Sequence, residues 1–225
     1  MSTCLFDHRR SRFQKIFFGQ RSTDAESIGS KIFSRYVVTP IALRLNRALI
    51  DICPLEGVLG TDVPDSILVD HLVRLYEKVA GNSSPLKISP ALILTNQIKR
   101  WHLPQAYKGL ASELIERYKD CILFPIHGDI HKGNIIVVQG ELGLIDFEHF
   151  CFAPHEFELA NLLFHNDHNC PDTEGLLLRL LDKRLIDLDV LRDMGHIYFL
   201  KELHEGGSLR HSQRQLEKAL KHLSQ

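Results

Sequence analysis

The feature that most constrains the fold of this sequence is a polar loop, 127–133, which lies between the first and second of three short apolar runs. Runs this short, bounded by turn residues, are typical of β-strands. A Gln139-Gly140 pair between the second and third runs predicts a tight turn. The three runs are Ile122 to Ile126, Asn134 to Val138 and Leu142 to Phe147. The sequence therefore predicts strand, loop, strand, turn and strand, flanked on both sides by segments with helical periodicity.

Three polar side chains in this region have a spacing that suits phosphoryl transfer. Asp129 is followed by Asn134 five residues later, and Asp146 lies twelve residues further along. In such a reaction one carboxylate accepts the proton of the attacking hydroxyl or orients it, while an amide and a second carboxylate hold Mg²⁺ through oxygen atoms. The spacing H-x-D-x-x-x-x-N that begins at His127 is that of the protein-kinase catalytic loop, and Asp146-Phe147 stands where the kinase D-F-G motif begins.

With these residues the sequence resembles the aminoglycoside phosphotransferase and choline-kinase-like family of small-molecule kinases. The resemblance is close between His127 and Ala160, and looser over the flanking helices. Many polar positions match in register, which makes the pattern far more specific than a single short motif. The matching residues are His127-Gly128-Asp129-Ile130-His131-Lys132-Gly133-Asn134, then Ile145-Asp146-Phe147-Glu148, then Pro154 and Glu158-Leu159-Ala160.

The resemblance implies an α+β fold of the protein-kinase type, with a small β-rich N-lobe and a larger, mostly helical C-lobe. It implies that Asp129 is the catalytic base, that Asn134 and Asp146 bind Mg²⁺, and that His127 braces the catalytic loop. It further implies that ATP is the phosphoryl donor and that a hydroxyl of a small molecule, such as an aminoglycoside, choline or a sugar-like compound, is the acceptor.

Three neighbouring side chains are open to two interpretations, and a fourth has one. His131 and Lys132 contact a phosphate or the acceptor, or they lie on a solvated face of the loop; His131 is taken as a candidate nucleotide-binding residue. Glu148 orients the metal site or caps a turn. Glu158 is expected to have a structural role in the C-lobe, because the family more often has the shorter aspartate there.

The first part of the chain is expected to form the N-lobe. A kinase-like lobe supplies a strand lysine that contacts the phosphates and a helix glutamate that pairs with it. Glu26 lies on a helix predicted from the capping box that begins at Thr23, and Lys15 is the one lysine of the strand predicted over Phe13 to Phe18. A different alignment of that strand places Gly19 at the lysine position.

The N-lobe is predicted to be shortened. No G-x-G-x-x-G motif occurs, and the residues before the Lys15 strand are too few for two preceding strands. Ile41 to Leu45 and Ala48 to Cys53 predict a hairpin that completes the lobe. A glycine-rich segment then marks the predicted boundary between an N-lobe over 1–57 and a C-lobe over 58–225.

Composition excludes several other classes of protein. The chain has 27 basic and 28 acidic side chains, so no global positive field exists to bind nucleic acid or an anionic membrane. It contains no apolar stretch long enough to span a bilayer and no signal-peptide pattern at the N-terminus, which predicts a cytoplasmic protein. Five scattered cysteines without a C-x-x-C pair argue against a disulfide framework and a cysteine zinc site. Nothing in the sequence indicates an oligomeric state.

Charge is nevertheless uneven along the chain. Residues 1–35 carry an excess of basic side chains and residues 155–193 an excess of acidic ones. This polarity suits a nucleotide near the N-lobe and a cationic or polyhydroxyl acceptor near the C-lobe, although solvated helix faces would give the same counts.

Three other functions are compatible with parts of the sequence. Gly128 to His131 would suit a metallophosphoesterase, but the further ligand motifs of that class are missing. The cluster His165, Asp167, His168 and Cys170 would suit zinc, although such a cluster more often forms a polar loop between helices. A kinase-fold protein without activity, in which the shortened N-lobe binds nucleotide poorly, is the principal alternative to an enzyme.

Overall fold

The computed structural model describes residues 2–7, 11–17, 23–46, 48–81, 88–164 and 171–206. Within these residues the chain forms short strands and α-helices joined by turns, an α+β architecture as predicted. The strands are β1 Ser2–Asp7, β2 Arg12–Phe17, β3 Ala42–Arg44, β4 Leu49–Ile52, β5 Val58–Leu59, β6 Phe124–Ile126, β7 Ile135–Val138, β8 Glu141–Leu144 and β9 Cys151–Ala153. The helices are α1 Thr23–Phe33, α2 Asp65–Ala80, α3 Leu94–Ile98, α4 Lys108–Tyr118, α5 Glu156–Phe164, α6 Thr173–Asp182 and α7 Leu188–His204.

The N-terminal sheet has the strand order β1-β2-β4-β3, with all neighbours antiparallel. Side chains alternate between its two faces, so Lys15 shares a face with Phe17 and with its cross-strand neighbour Ile50. All three side chains are at most 5% exposed. The sequence pattern therefore buries a lysine on the inner face of an otherwise apolar sheet, beside α1.

Helix α1 packs directly against the turn that follows Asp146. Gly29 permits this contact, because a Cβ atom at that position would lie 2.8 Å from the Cβ atom of Phe150. Apolar residues recur at helical spacing from Ala25 to Tyr36, which predicts a helix through Tyr36, but the helix ends at Phe33. The N–H of Tyr36 donates to the carbonyl of Phe33, and the chain then turns toward β8. There the Val38 N–H donates to the carbonyl of Leu142, and the Val38 carbonyl accepts from the Leu144 N–H. Pairing with a distant strand thus ends the helix before its local pattern does.

The predicted hairpin after the polar loop is formed by β7 and β8, which pair Ile135 with Leu144. Both of these side chains are fully buried. Strand β5 adds to β7, and β6 pairs with β9 in a separate ribbon. The sequence did not predict β1, β5 or β9, because strands of two to six residues are fixed by their distant partners more than by their own pattern.

The C-terminal half is largely helical and contains most of the apolar core. Helix α2 starts after Pro64. The sequence pattern predicts helices over Thr173 to Asp182 and Leu188 to His204, and α6 and α7 have these bounds. The sequence pattern also predicts a helical segment around Pro90 to Arg100, in which the α-helix covers Leu94–Ile98 alone. The sequence pattern predicts one more helix, over 209–223. This segment, the residue Gly19 and the cluster 165–170 lie outside the described residues. No helix that the structure describes combines the length and apolar character needed to span a membrane.

Candidate active site

The polar loop between β6 and β7 begins in a tightly enclosed position. Gly128 has φ 83°, and a Cβ atom there would lie 2.3 Å from the carbonyl oxygen of His149. A side chain at this position would meet both backbone strain and a backbone clash. Glycine therefore allows the loop to pass directly beneath the turn at His149.

His127 anchors the start of the loop from inside the protein. Its side chain is fully buried between Phe33 and Phe147, and its Nε2 lies 2.9 Å from the carbonyl oxygen of Ile145. The N–H of Asp129 donates to Nδ1 at 3.3 Å, which assigns the proton to Nε2. Burial lowers the pKa of His127, so the neutral ring links the loop to the end of β8. This geometry is that of a bracing residue.

Glu158 on α5 holds the same loop from below. Its carboxylate accepts hydrogen bonds from the N–H groups of His127 at 2.6 Å and Gly128 at 3.1 Å. The group is only 4% exposed, and burial raises its pKa to about 7 despite these bonds. The longer glutamate thus reaches two successive backbone donors of the loop, in line with the structural role expected from the sequence.

Asp129 and Asn134 are in direct contact. The amide nitrogen of Asn134 donates to the backbone oxygen of Asp129 at 2.9 Å and to its Oδ2 atom at 3.2 Å. The Asp129 side chain is 29% exposed, whereas Asn134 is buried. Asn134 therefore orients a carboxylate that is open to a ligand, and its own amide oxygen is not used in these two bonds.

The remaining polar residues of the loop stabilise its conformation. The N–H of Gly133 donates to Nδ1 of His131 at 3.0 Å, while Nε2 of His131 lies 3.8 Å from Asp129 Oδ2. Lys132 forms an ion pair with Asp65, at the start of α2, with an N–O distance of 2.6 Å. Both side chains are thus used within the fold, and a role of His131 toward nucleotide stays a prediction.

Lys15 is surrounded by three carboxylates from separate parts of the chain. Its Nζ atom lies 2.8 Å from Glu26 Oε2, 2.5 Å from Asp146 Oδ1 and 3.5 Å from Glu148 Oε2. Burial alone would lower the pKa of Lys15, but Glu26 and Asp146 raise it overall, so the ammonium is charged. Glu26 also accepts a bond from the Phe147 N–H at 3.1 Å. The N-terminal sheet, α1 and the 146–148 turn thus meet at one ammonium group.

Asp146 has a left-handed backbone conformation, with φ 65° and ψ 66°. This region is costly for residues other than glycine, and residues held in it cluster at functional sites. The Asp146 side chain is 40% exposed, so one face of the carboxylate is open beyond its bond to Lys15. The contact between Glu26 and the Phe147 N–H helps to hold the turn that follows.

The oxygen atoms of this site fit a Mg²⁺ ion. Asp146 and Asn134 offer a carboxylate and an amide oxygen, the hard ligands that this ion prefers. Around Lys15, three carboxylates face one ammonium, so the site has a surplus of negative charge for a divalent cation. The part of the chain that the structure describes contains no cluster of three or more His, Cys, Asp or Glu side chains arranged to hold a metal ion. Mg²⁺ bound through one or two protein ligands and substrate phosphates needs no such cluster.

Two adjoining cavities open beside the catalytic loop. The smaller cavity, of about 180 Å³, lies between Asp129 and the C-terminal half of α7. The larger cavity, of about 430 Å³, extends from there toward α1 and α3 and contains Glu148 in its wall. Gly128, His149, Lys201 and Glu205 line both cavities. The wall residues Asn161, Tyr198, Lys201 and Glu202 were not predicted, because they belong to no motif and only the packing of α5 on α7 brings them to Asp129.

Comparisons with known proteins show what this chain is similar to. The model of the phosphotransferase enzyme family matches residues 86–194. Among solved structures, aminoglycoside phosphotransferase APH(4)-Ia is 13% identical with a TM-score of 0.62, covering 98% of this chain and 93% of that one. The choline kinase LicA from Streptococcus pneumoniae is 15% identical with a TM-score of 0.62, covering 95% of this chain and 86% of that one.

An amicoumacin kinase, hAmiN, solved with AMP-PNP, Ca²⁺ and Ami, is also 15% identical, with a TM-score of 0.55 and coverage of 99% of this chain and 87% of that one. A search of curated proteins found no match. The resemblance predicted from the sequence motifs is confirmed: the chain has the kinase-like fold of aminoglycoside phosphotransferases and choline kinases, and its segment 86–194 matches the phosphotransferase enzyme family.

Proposed function

We propose that this protein is an ATP- and Mg²⁺-dependent phosphotransferase that moves the γ-phosphoryl group to a hydroxyl of a small molecule. The observation that carries the proposal is the convergence of Lys15, Glu26 and Asp146 at one point, with Asp129 facing a cavity nearby. The family match and the small-molecule kinases among similar structures support the reaction class.

Asp129 is proposed to act on the acceptor. Its carboxylate lies on the wall of the smaller cavity and is fixed in direction by the Asn134 amide. A carboxylate in this position orients an acceptor hydroxyl and receives its proton as the new P–O bond forms, while the bond between the γ-phosphorus and the β–γ bridging oxygen breaks and ADP leaves. His127 does not serve as the base, because its ring is fully buried and both of its nitrogens are used in loop contacts.

Lys15 is proposed to bind the phosphate groups of the nucleotide. Glu26 holds its ammonium at 2.8 Å, and Asp146 is the more exposed of its two close partners. An ammonium fixed in this way offsets charge on phosphate oxygens without losing entropy on binding. The acidic surplus around it has to be neutralised before an anionic nucleotide can approach.

Asn134 and Asp146 are the residues proposed to hold Mg²⁺, which would supply that neutralisation when bound. Around them, Glu158 and His127 keep the loop in place through backbone hydrogen bonds. The proposal thus assigns Asp129, Asp146, Asn134 and Lys15 to ligands, and His127 and Glu158 to the support of the loop.

The test compares Asp129→Asn with the wild type. This substitution keeps the shape of the side chain and an oxygen that can accept the Asn134 bond, so the melting temperature should stay close to that of the wild type. Phosphoryl transfer from ATP to a panel of aminoglycosides, choline and polyols should fall about 10²- to 10⁴-fold. Asp120→Asn, which changes an exposed aspartate after α4, is the matched control and should keep full activity.

Two results would contradict the proposal. Equal transfer by Asp129→Asn and the wild type would exclude Asp129 as the base. Failure of Mg²⁺ and ATP together to raise the melting temperature of the wild type would favour the alternative of a kinase-fold protein without activity.

A further inference from the structure

We infer that His131 is a positioning residue for Asp129, and that Asp129 takes the proton of the acceptor through its Oδ1 atom. The His131 ring and the Asn134 amide hold the other carboxylate oxygen, Oδ2. This inference rests on the proposed function, because it concerns the base of that reaction. From the sequence, His131 is a candidate nucleotide-binding residue, whereas the geometry places its ring beside the base.

The first observation fixes which nitrogen of the His131 ring carries the proton. The Gly133 N–H donates to Nδ1 at 3.0 Å, so Nδ1 is an acceptor and has no proton. This bond assigns the ring proton to Nε2. Nε2 is also the nitrogen that lies near Asp129, at 3.8 Å from Oδ2. The nitrogen nearest the carboxylate is thus the one that can donate a hydrogen bond to it.

The backbone of the loop holds the ring in this position. The backbone of His131 is extended, and its side chain caps the short turn Lys132–Asn134 through the bond from Gly133. A Cβ atom at residue 133 would lie 2.8 Å from Cε1 and 3.0 Å from Nδ1 of the ring, so glycine makes room for the ring there. The capping bond and this glycine together set the position of the ring, and with it the position of Nε2.

Both loop groups lie at the same oxygen of Asp129. The Asn134 amide donates to Oδ2 at 3.2 Å, and Nε2 of His131 lies 3.8 Å from the same atom. Oδ1 receives no hydrogen bond from the described residues. The loop therefore leaves Oδ1 to the acceptor. The hydroxyl proton passes to Oδ1 as the hydroxyl oxygen bonds to the γ-phosphorus, the bond to the β–γ bridging oxygen breaks and ADP leaves.

The contact between His131 and Asp129 has to shorten during the reaction. A separation of 3.8 Å is too long for a hydrogen bond, but hydrogen bonds at catalytic sites commonly tighten when the substrate binds. Asp129 lies in the wall of the smaller cavity, whereas His131 lines neither of the two cavities beside the loop. An acceptor in the smaller cavity therefore contacts Asp129 directly, and His131 acts on the reaction through the base.

Two substitutions separate the capping nitrogen from the nitrogen beside the base. Asparagine places its amide near the position of Nδ1, so it can cap the turn but is too short to reach Asp129. Glutamine extends its amide to the position of Nε2, so it can donate to Asp129 but is a poor cap. His131→Asn should therefore keep the cap and lose the contact with the base, and His131→Gln should do the reverse.

The first measurement is the kinetics of transfer from ATP to the best acceptor of the panel, together with the melting temperature. His131→Asn should lower kcat about tenfold, which is the effect of one lost hydrogen bond to a charged group. Its melting temperature and its KM for ATP should stay close to those of the wild type. His131→Gln should retain most of the wild-type kcat while its melting temperature falls by a few degrees. His71→Asn makes the same change on α2, outside both cavities, and should keep the wild-type kcat.

A second measurement does not depend on turnover. Long-range proton–nitrogen NMR correlation of the His131 ring should show the proton on Nε2. The Nε2 resonance should move in Asp129→Asn and stay in place in Asp120→Asn, because only the first substitution changes the group beside it.

The inference is overturned if His131→Asn keeps the wild-type kcat, with or without a higher KM for ATP. It is also overturned if His131→Gln is no faster than His131→Asn, or if the ring proton lies on Nδ1. Any of these results with Asp129-dependent transfer intact would remove the role of His131 and leave the proposed function standing. Equal transfer by Asp129→Asn and the wild type would instead remove the proposed function, and this inference with it.

Discussion

The two sides of the candidate active site are built in different ways. On the C-terminal side, Asp129, Asn134 and their supports lie within one loop, and Glu158 holds its backbone from the next helix. On the N-terminal side, Lys15 reaches the site across 131 residues of sequence to Asp146, through a four-stranded sheet and α1. One side depends on local backbone geometry and the other on a buried ion pair, so the two should fail in different ways when altered.

The largest effect on stability is expected at the ion pair. Lys15→Met leaves the fully buried Glu26 without its counter-ion, which should cost about 3–5 kcal/mol of unfolding free energy in a urea titration. Adding Glu26→Gln to this variant should recover part of the loss, because a neutral amide needs no counter-ion. A loss below about 1 kcal/mol for Lys15→Met would show that the ammonium is not buried among carboxylates.

The catalytic loop should be most sensitive at Gly128. Gly128→Ala combines the left-handed strain with a backbone clash against His149, for an expected loss of about 2–4 kcal/mol. Gly140→Ala is the matched control: it has the same φ of 83° but no atom within 4 Å of the added Cβ, so only the strain of about 1–2 kcal/mol applies. Equal losses in thermal or urea denaturation would mean that the loop does not pass beneath His149 as described.

The raised pKa of Glu158 predicts a pH-dependent stability on the loop side of the site. Its ordinary pKa is near 4.5, and burial raises it to about 7 in the folded protein. Between these values the folded protein retains a proton that the unfolded chain has released, so the contribution of Glu158 to stability falls as the pH rises from 4.5 to 7.

The unfolding free energy should fall by about 2–3 kcal/mol between pH 4.5 and pH 7 because of Glu158. Glu158→Gln removes the titrating group. The unfolding free energy of the wild type should therefore fall relative to that of the variant as the pH rises. A constant difference across the window would show that Glu158 ionises normally in the folded protein.

The smallest effect is expected at Lys132, the other paired lysine of the site. Its ion pair with Asp65 is partly solvated, with the Asp65 side chain 45% exposed, and such pairs contribute about 1 kcal/mol or less. Lys132→Ala should therefore change the free energy of unfolding far less than Lys15→Met. A comparable loss for both would remove the distinction between the two sides.

The contrast between the two sides also explains which parts of the site could be predicted from the sequence. The loop residues 127–134 and the 145–148 segment were predictable because their roles depend on short, local spacing. Lys15 was predictable only as one of two alignments, since its meeting with Glu26 depends on strand pairing that no local pattern encodes. Strands β5 and β9 likewise depend on pairing with distant strands that no local pattern encodes. Lys201 and Asn161 could not be predicted either, because they reach the site only when α5 packs on α7.

The most direct test of the central claim is calorimetric titration of ATP in the presence and absence of Mg²⁺, with the wild type and Asp146→Asn. If Lys15 and Asp146 together form a nucleotide site, the wild type should bind ATP only weakly without Mg²⁺ and at least tenfold more tightly with it. Asp146→Asn should lose most of that gain while remaining folded. No binding by the wild type, or the same gain from Mg²⁺ in both proteins, would contradict the account.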